Sequence, residues 1–332
     1  MDPKKIDGHR HILFPQAETA AGKLDPVKSV HIYPVDARNK SESINRTRAG
    51  EWNRKMHDFD ENLADLKAAG LDMAVLQPTQ TMFFYWADAG AAAELARMVN
   101  EFTASGVRKY PEHFVGLATV PLQDVDLAVR ELAYAVEELH LKGVVTGSNI
   151  NGHGFDEEQF QPFFAKVAEL GIPIFVHPTN PAGIERVKDY YLMNFLSLPL
   201  ESAIFAGQMV FGGVLDRNPN LKICLSHAGG VLPFLLGRLE HGQSVRPEAG
   251  ESCRHPFSHY LKNFYVDTIT FRQETLRFVL EMMPEGHVFA GTDYPYDMAD
   301  PDPVGSVNRA AAEETVRESI LCESLSRVLG IS

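Results

Sequence analysis

The sequence predicts an α/β fold, a single (β/α)8 barrel with an inserted lid or small subdomain after its first strand. Three observations carry that expectation: seven short apolar runs that with Lys4–His11 make eight candidate strands, helical periodicity between them, and polar residues that end the apolar runs. Short runs rich in Val, Ile and Leu that alternate with amphipathic stretches are the pattern of βα units around a parallel sheet. An open doubly wound sheet is the rival, and it calls for a glycine-rich phosphate turn after strand one. Asp7-Gly8-His9-Arg10-His11 offers one glycine there.

In chain order the strands are expected at 4–11, 72–77, 114–119, 143–146, 172–177, 221–227, 264–267 and 287–293. Helices are expected at 59–69, 92–105, 127–139, 157–170, 200–216, 231–241 and 272–282, where apolar residues recur at spacings of three and four. Gly70 and Gly171 follow two of them, and Asn218-Pro219 closes another. The stretch 14–53 is polar, carries Pro15, Pro26 and Pro34, and is too long for a plain connection. It reads as a lid inserted into one domain spanning 1–332. A second irregular stretch, 295–305, follows strand eight with three prolines. Both lie at C-terminal strand ends, the face where barrel enzymes place their chemistry.

Composition narrows the function. The 332 residues are 45% hydrophobic and 23% charged, and 31 Lys and Arg against 44 Asp and Glu give a formal charge of −13. An acidic chain without a basic stripe has no footprint for nucleic acid. No run approaches the roughly 18 apolar residues of a membrane span, and the first residues lack the apolar core of a signal peptide. A cytoplasmic protein with neither nucleic acid nor membrane as partner is therefore expected. Cys224, Cys253 and Cys322, odd in number and widely spaced, make neither a disulfide framework nor a thiolate metal site. Any metal must be held by histidine and carboxylate.

Such ligands are present. His9 and His11 are two apart in a strand, so their imidazoles share a face. Two converging rings are half of a tetrahedral zinc site. His177 ends strand five in Ile174-Phe175-Val176-His177-Pro178, His227 ends strand six, and Asp293 ends strand eight in Gly291-Thr292-Asp293-Tyr294-Pro295. Four of eight strand ends offer metal-capable groups to one rim, which predicts a His/Asp metal site at the barrel mouth.

These strand ends, with Phe114-Val115-Gly116-Leu117-Ala118-Thr119-Val120-Pro121-Leu122-Gln123 and the stretch from Ser226-His227-Ala228-Gly229-Gly230 to Gly237-Arg238, resemble the amidohydrolase superfamily. The likeness is to its branch of metal-dependent non-oxidative decarboxylases, the aminocarboxymuconate-semialdehyde type, and runs from Ile6 to Gly330. The resemblance implies His9, His11, His177 and Asp293 as metal ligands and one Zn2+ per chain, with another divalent transition metal as the alternative. Strand four ends Val145-Thr146-Gly147, without the lysine that bridges two metals in binuclear relatives.

The resemblance further implies a metal-bound hydroxide formed with His227 as base, and decarboxylation of a small unsaturated or aromatic carboxylate. A hydrolase or hydratase acting on a lactone, amide or unsaturated dicarboxylate is the alternative on the same scaffold. Arg48 is similar to the family's substrate-carboxylate arginine, with Arg46 a near equal. Arg238 is similar to one that reaches the neighbouring active site in a homodimer, with Arg246 second. Phe84 and Trp86 belong to an aromatic run that walls substrate or packs the lid. Because a charge of −13 repels an anion at long range, affinity for a carboxylate substrate must come from the metal and a few placed arginines.

Overall fold

The computed structural model describes residues 4–29 and 40–331, and the barrel is there. Its strands are β1 (Ile6–Ile12), β2 (Met73–Pro78), β3 (Phe114–Gly116), β4 (Val144–Thr146), β5 (Ile174–Val176), β6 (Ile223–Leu225), β7 (Phe264–Asp267) and β8 (Val288–Phe289). All paired neighbours are parallel, in the runs β1-β2-β3 and β4-β5-β6-β7-β8. Parallel bridges at Ala118–Val144 and Arg10–Tyr294 join the two runs at both seams. β5, β6 and β8 are shorter than the apolar runs suggest because their ladders end before His177, His227 and Asp293, whereas β1 and β7 keep His9, His11 and Asp267 within the strand.

The helices begin where side chains can take up free backbone N–H groups. Asp58 caps Phe59–Ala68, Asp88 caps Ala89–Lys109 and Asp124 caps Val125–Glu137. Gly171, at φ 67°, ends Gln161–Leu170 in the left-handed conformation that suits glycine. The helix expected at 200–216 is instead two, Leu198–Phe211 and Val214–Arg217, broken at Gly213 with φ 67°. The remaining barrel helices include Leu232–Val245 and Gln273–Met282. Among the described residues no helix is long and apolar enough to cross a membrane. The three cysteines are buried and none forms a disulfide.

The described residues of the stretch 14–53 are largely helical. They hold Pro15–Leu24 and the start of Lys40–His57, which runs on four residues beyond the stretch. Residues 30–39, with Pro34, lie outside the described residues. Ala17, Ala21 and Met56 bury against Leu13, Met82, Phe84, Leu95 and Val99, and Phe14 stacks on Phe102 with ring centroids 4.5 Å apart.

One buried ion pair fastens the seam between β1 and β8. Strand alternation turns Arg10 away from the histidine face, and it is 1% exposed. Its Nε donates to Asn62 Oδ1 at 2.7 Å, its Nη1 lies 3.3 Å from Asp7 Oδ2, and its guanidinium carbon sits 3.5 Å above the Tyr294 ring. Asp7 in turn accepts from the Thr292 N–H at 3.0 Å and hydroxyl at 2.6 Å. Burial pushes the Asp7 carboxyl up, against the pull of Arg10. The pair therefore works only as a unit.

Candidate metal centre

The site forms where β1, β5, β6 and β8 end. His9 Nε2 lies 3.2 Å from His11 Nε2, and Asp293 Oδ1 lies 3.0 Å from His11 Nε2 and 3.5 Å from His9 Nε2. The His177 ring centroid is 5.3 Å from that of His9 and 5.2 Å from that of His11. One ligand atom from each of His9, His11, His177 and Asp293 falls within 4.8 Å of all the others. All four residues are buried. His227 stands beside them on the more open side, its Nε2 3.7 Å from Asp293 Oδ2.

Two loops aim these groups, and both need unusual backbone. Asp293 has φ 63°, and His227, Ala228, Gly229 and Gly230 are four successive positive-φ residues. Glycine is required at 230, where a Cβ would meet the Pro199 carbonyl oxygen at 1.8 Å. His227 and Ala228 adopt the same region with side chains, which costs energy that neighbouring contacts must offset. Those contacts come from Asp267, at the end of β7. Its Oδ2 accepts from the His227 N–H at 2.8 Å, its Oδ1 from the Ala228 N–H at 2.7 Å, and its Oδ2 also meets His9 Nδ1 at 2.8 Å.

The electrostatics follow from burial and neighbours. Burial, then the surrounding imidazoles, pushes His177 well below the ordinary histidine range. Burial also lowers His11, against its bond to Asp293. Burial alone would raise Asp293, but the contacts from His11, His227 and His9 hold its carboxyl well below the usual range. His9 goes the other way: burial lowers it, and the bond to Asp267 with the nearby carboxylates raises it further. Three imidazoles and a carboxylate within 4.8 Å are the donor set of a divalent transition metal, so the group fits one.

Above the ligands, Gln80 Nε2 approaches the ring nitrogens of His177 at 2.8 Å. The Tyr296 ring lies 5.2 Å from that of His11 and 5.4 Å from that of Trp52, and its hydroxyl is 2.6 Å from Thr79 Oγ1. Arg48, on the same helix as Trp52, reaches Asp297 at 3.5 Å. The other expected residues are placed differently. Phe84 is 1% exposed and packs in the cluster under Pro15–Leu24, with Trp86 against the same cluster. Arg238 is exposed on Leu232–Val245, and Arg246 is exposed just past its end.

Asp267, Gln80 and Tyr296 were missed by the sequence reading. Asp267 carried a signal, since it too is a polar residue ending an apolar strand. Tyr296 lies inside the irregular stretch after strand eight. Nothing local marks Gln80.

A parallel barrel that gathers three imidazoles and a carboxylate at the C-terminal ends of its strands defines a class of enzyme scaffold built to hold a metal. The chain belongs to the amidohydrolase family, whose model matches residues 6–331. It is 33% identical over 334 residues to 2-amino-3-carboxymuconate-6-semialdehyde decarboxylase of Dictyostelium discoideum, covering 98% of this chain and 92% of that one. It is 29% identical to gamma-resorcylate decarboxylase of a Rhizobium species, covering 75% and 81%. Among solved structures, 5-carboxyvanillate decarboxylase from Sphingomonas paucimobilis superposes with a TM-score of 0.86 at 26% identity, covering all of both chains. Dihydroxybenzoic acid decarboxylase from Polaromonas, solved with bound manganese, shares the fold at a TM-score of 0.83 and 24% identity, covering 99% and 97%.

Proposed function

We propose that the protein is a metal-dependent, non-oxidative decarboxylase of a small unsaturated or aromatic carboxylate. The observation that carries this reading is the convergence of His9, His11, His177 and Asp293 within 4.8 Å, with His227 3.7 Å from Asp293 on the open side. Relatives named decarboxylases over most of the chain's length support it. One Zn2+ per chain suits three nitrogens and one oxygen, and the manganese of the Polaromonas structure makes Mn2+ the alternative. Bound there, the metal supplies electrophilic activation of water and an anchor for a substrate oxygen.

The chain's own groups supply the rest. When the bond to the carboxylate breaks, its electron pair stays on the substrate carbon and CO2 leaves. His227 Nε2 takes up a proton from solvent water before the bond breaks and returns it to that carbon, so a C–H bond replaces the C–C bond. Arg48 at the mouth grips a substrate carboxylate, exchanging Asp297 for it. Trp86 and Phe84 support the mouth from the apolar cluster under Pro15–Leu24. The stretch 14–53 serves as the lid.

The protein works as a homodimer in the cytoplasm, with Arg238 serving the neighbouring subunit's site. Phe234, 79% exposed, lies one turn before Arg238 on the same helix face. Leu200, Leu235 and Leu239 line a groove of about 480 Å³ beside it. An exposed aromatic next to an apolar groove is the make-up of a subunit interface. Full activity in a species that sediments as a monomer overturns the shared site.

The test is product analysis on zinc- and manganese-loaded protein with carboxymuconate-type, hydroxybenzoate and lactone compounds. The expected result is CO2 released mole for mole with substrate consumed; ring opening or water addition without CO2 overturns the assignment. His227→Asn should keep about one metal per chain and lose turnover by about 10²- to 10⁴-fold.

A further inference from the structure

Asp267 is fully buried, and four donors surround its carboxylate. On Oδ2 are His9 Nδ1 and the His227 N–H, both at 2.8 Å; on Oδ1 are the Ala228 N–H at 2.7 Å and the Ile269 N–H at 3.0 Å. The approach to His9 is made possible by Gly291, where a Cβ would lie 2.9 Å from Asp267 Cβ and 3.0 Å from His9 Cβ. We infer that Asp267 is a positioning residue that sets the ligating nitrogen of His9 and, with the same carboxylate, holds the positive-φ turn that aims His227.

Two physical consequences meet in this one side chain. A carboxylate bonded to His9 Nδ1 keeps the proton on that nitrogen and leaves the Nε2 lone pair facing His11 and Asp293. The same oxygens offset the cost of left-handed backbone at His227 and Ala228, neither of which is glycine. The metal ligand from β1 and the proton carrier after β6 are therefore fixed relative to each other through β7. A backbone-only anchor would leave His9 free to turn, and an imidazole-only partner would leave the turn unsupported.

Asp267→Asn separates these demands. The amide has one accepting oxygen and one donating nitrogen, so two of the four donors must face a donor. The Ala228 and Ile269 N–H groups are fixed in the backbone, whereas His9 can move its proton to Nε2 and accept at Nδ1. The amide nitrogen should turn to His9, and a protonated Nε2 cannot bind a metal. Zinc affinity, read by titration against a chromophoric chelator, should fall about 10- to 100-fold. At saturating zinc kcat should fall while KM stays within about twofold, because His227 loses its support and the rim does not.

The inference rests on the proposed metal site and on His227 as proton carrier, yet zinc affinity is read without turnover, so a failed decarboxylase assignment leaves it standing. Unchanged zinc affinity in Asp267→Asn overturns the inference. Should that variant not fold, the wild-type protein decides. In ¹⁵N-histidine-labelled, zinc-loaded protein, His9 should show a slowly exchanging Nδ1–H with Nε2 on the metal. Zinc on Nδ1 overturns the inference without any substitution.

Discussion

The floor of the barrel mouth and the rim above it are built on different physical terms. The floor groups, His9, His11, His177, Asp267 and Asp293, sit at strand ends, all buried and locked by contacts near 3 Å. The rim groups Arg48, Trp52, Tyr296 and Asp297 sit on a helix and a loop. Arg48 and Asp297 keep 49% and 36% of their side chains exposed and meet only at 3.5 Å. Charges interact strongly where water is excluded and weakly where it is not. The floor therefore sets the chemistry, and the rim, loosely paired, is free to set the substrate.

The largest effect should come from the floor. Asp293→Asn removes an anionic ligand and the counter-charge for His227, and should lower kcat/KM by about 10³-fold or more, with metal content falling in parallel. Elemental analysis and steady-state kinetics check both; retained metal with retained rate breaks the distinction between floor and rim.

Next comes the seam beneath the floor. Arg10→Met leaves Asp7 buried without its partner, which should cost about 3–5 kcal/mol of stability in denaturant titration. Unchanged stability would show that the Thr292 bonds to Asp7 and the backbone bonds Gly8–Ala290 and His11–Tyr294 hold β1 to β8 without the ion pair.

The rim should respond differently. Arg48→Ala should raise KM by about 30-fold, about 2 kcal/mol, as a lost charge-assisted contact to substrate. Its unfolding free energy should move by less than about 1 kcal/mol, since the pair with Asp297 is half exposed. A loss of stability without a change in KM would move Arg48 from substrate gripping to lid fastening.

The smallest effect should come from the far end of the barrel, and it sets the pH baseline for both regions. Burial, then nearby Arg327, lowers the His287 pKa against the bond from its Nδ1 to the Phe264 carbonyl, and its ring stacks on Tyr265. With the folded pKa below the unfolded value of about 6.5, its contribution is fully present above pH 6.5. It declines as pH falls below that, because the unfolded chain takes the proton more readily. His287→Gln should flatten this part of the stability curve by a few tenths to about 1 kcal/mol, with activity unchanged; an altered kcat would extend the floor's influence through the whole barrel.

How much of this was legible in the sequence follows from distance along the chain. The strand ends were legible because a polar residue closing an apolar run is a local pattern, and the same-face placement of His9 and His11 is a property of one strand. The break at Gly213 was hidden because apolar spacing continues across it. For Phe84 the sequence left two roles open, walling substrate or packing the lid, and its place under Pro15–Leu24, at a φ of 54°, is set by contacts that local pattern does not carry. Gln80 and Tyr296 gain their positions from partners in distant segments.

By itself the sequence determined the barrel, the strand-end histidines and aspartate, and a composition that forces any metal onto nitrogen and oxygen. Only the tertiary structure decided which groups touch. His9 and Asp267 stand 258 residues apart and meet at 2.8 Å because barrel closure brings β7 beside the seam of β1 and β8. Periodicity fixes which way a side chain faces, but its hydrogen-bond partner is set by the closure of the whole ring.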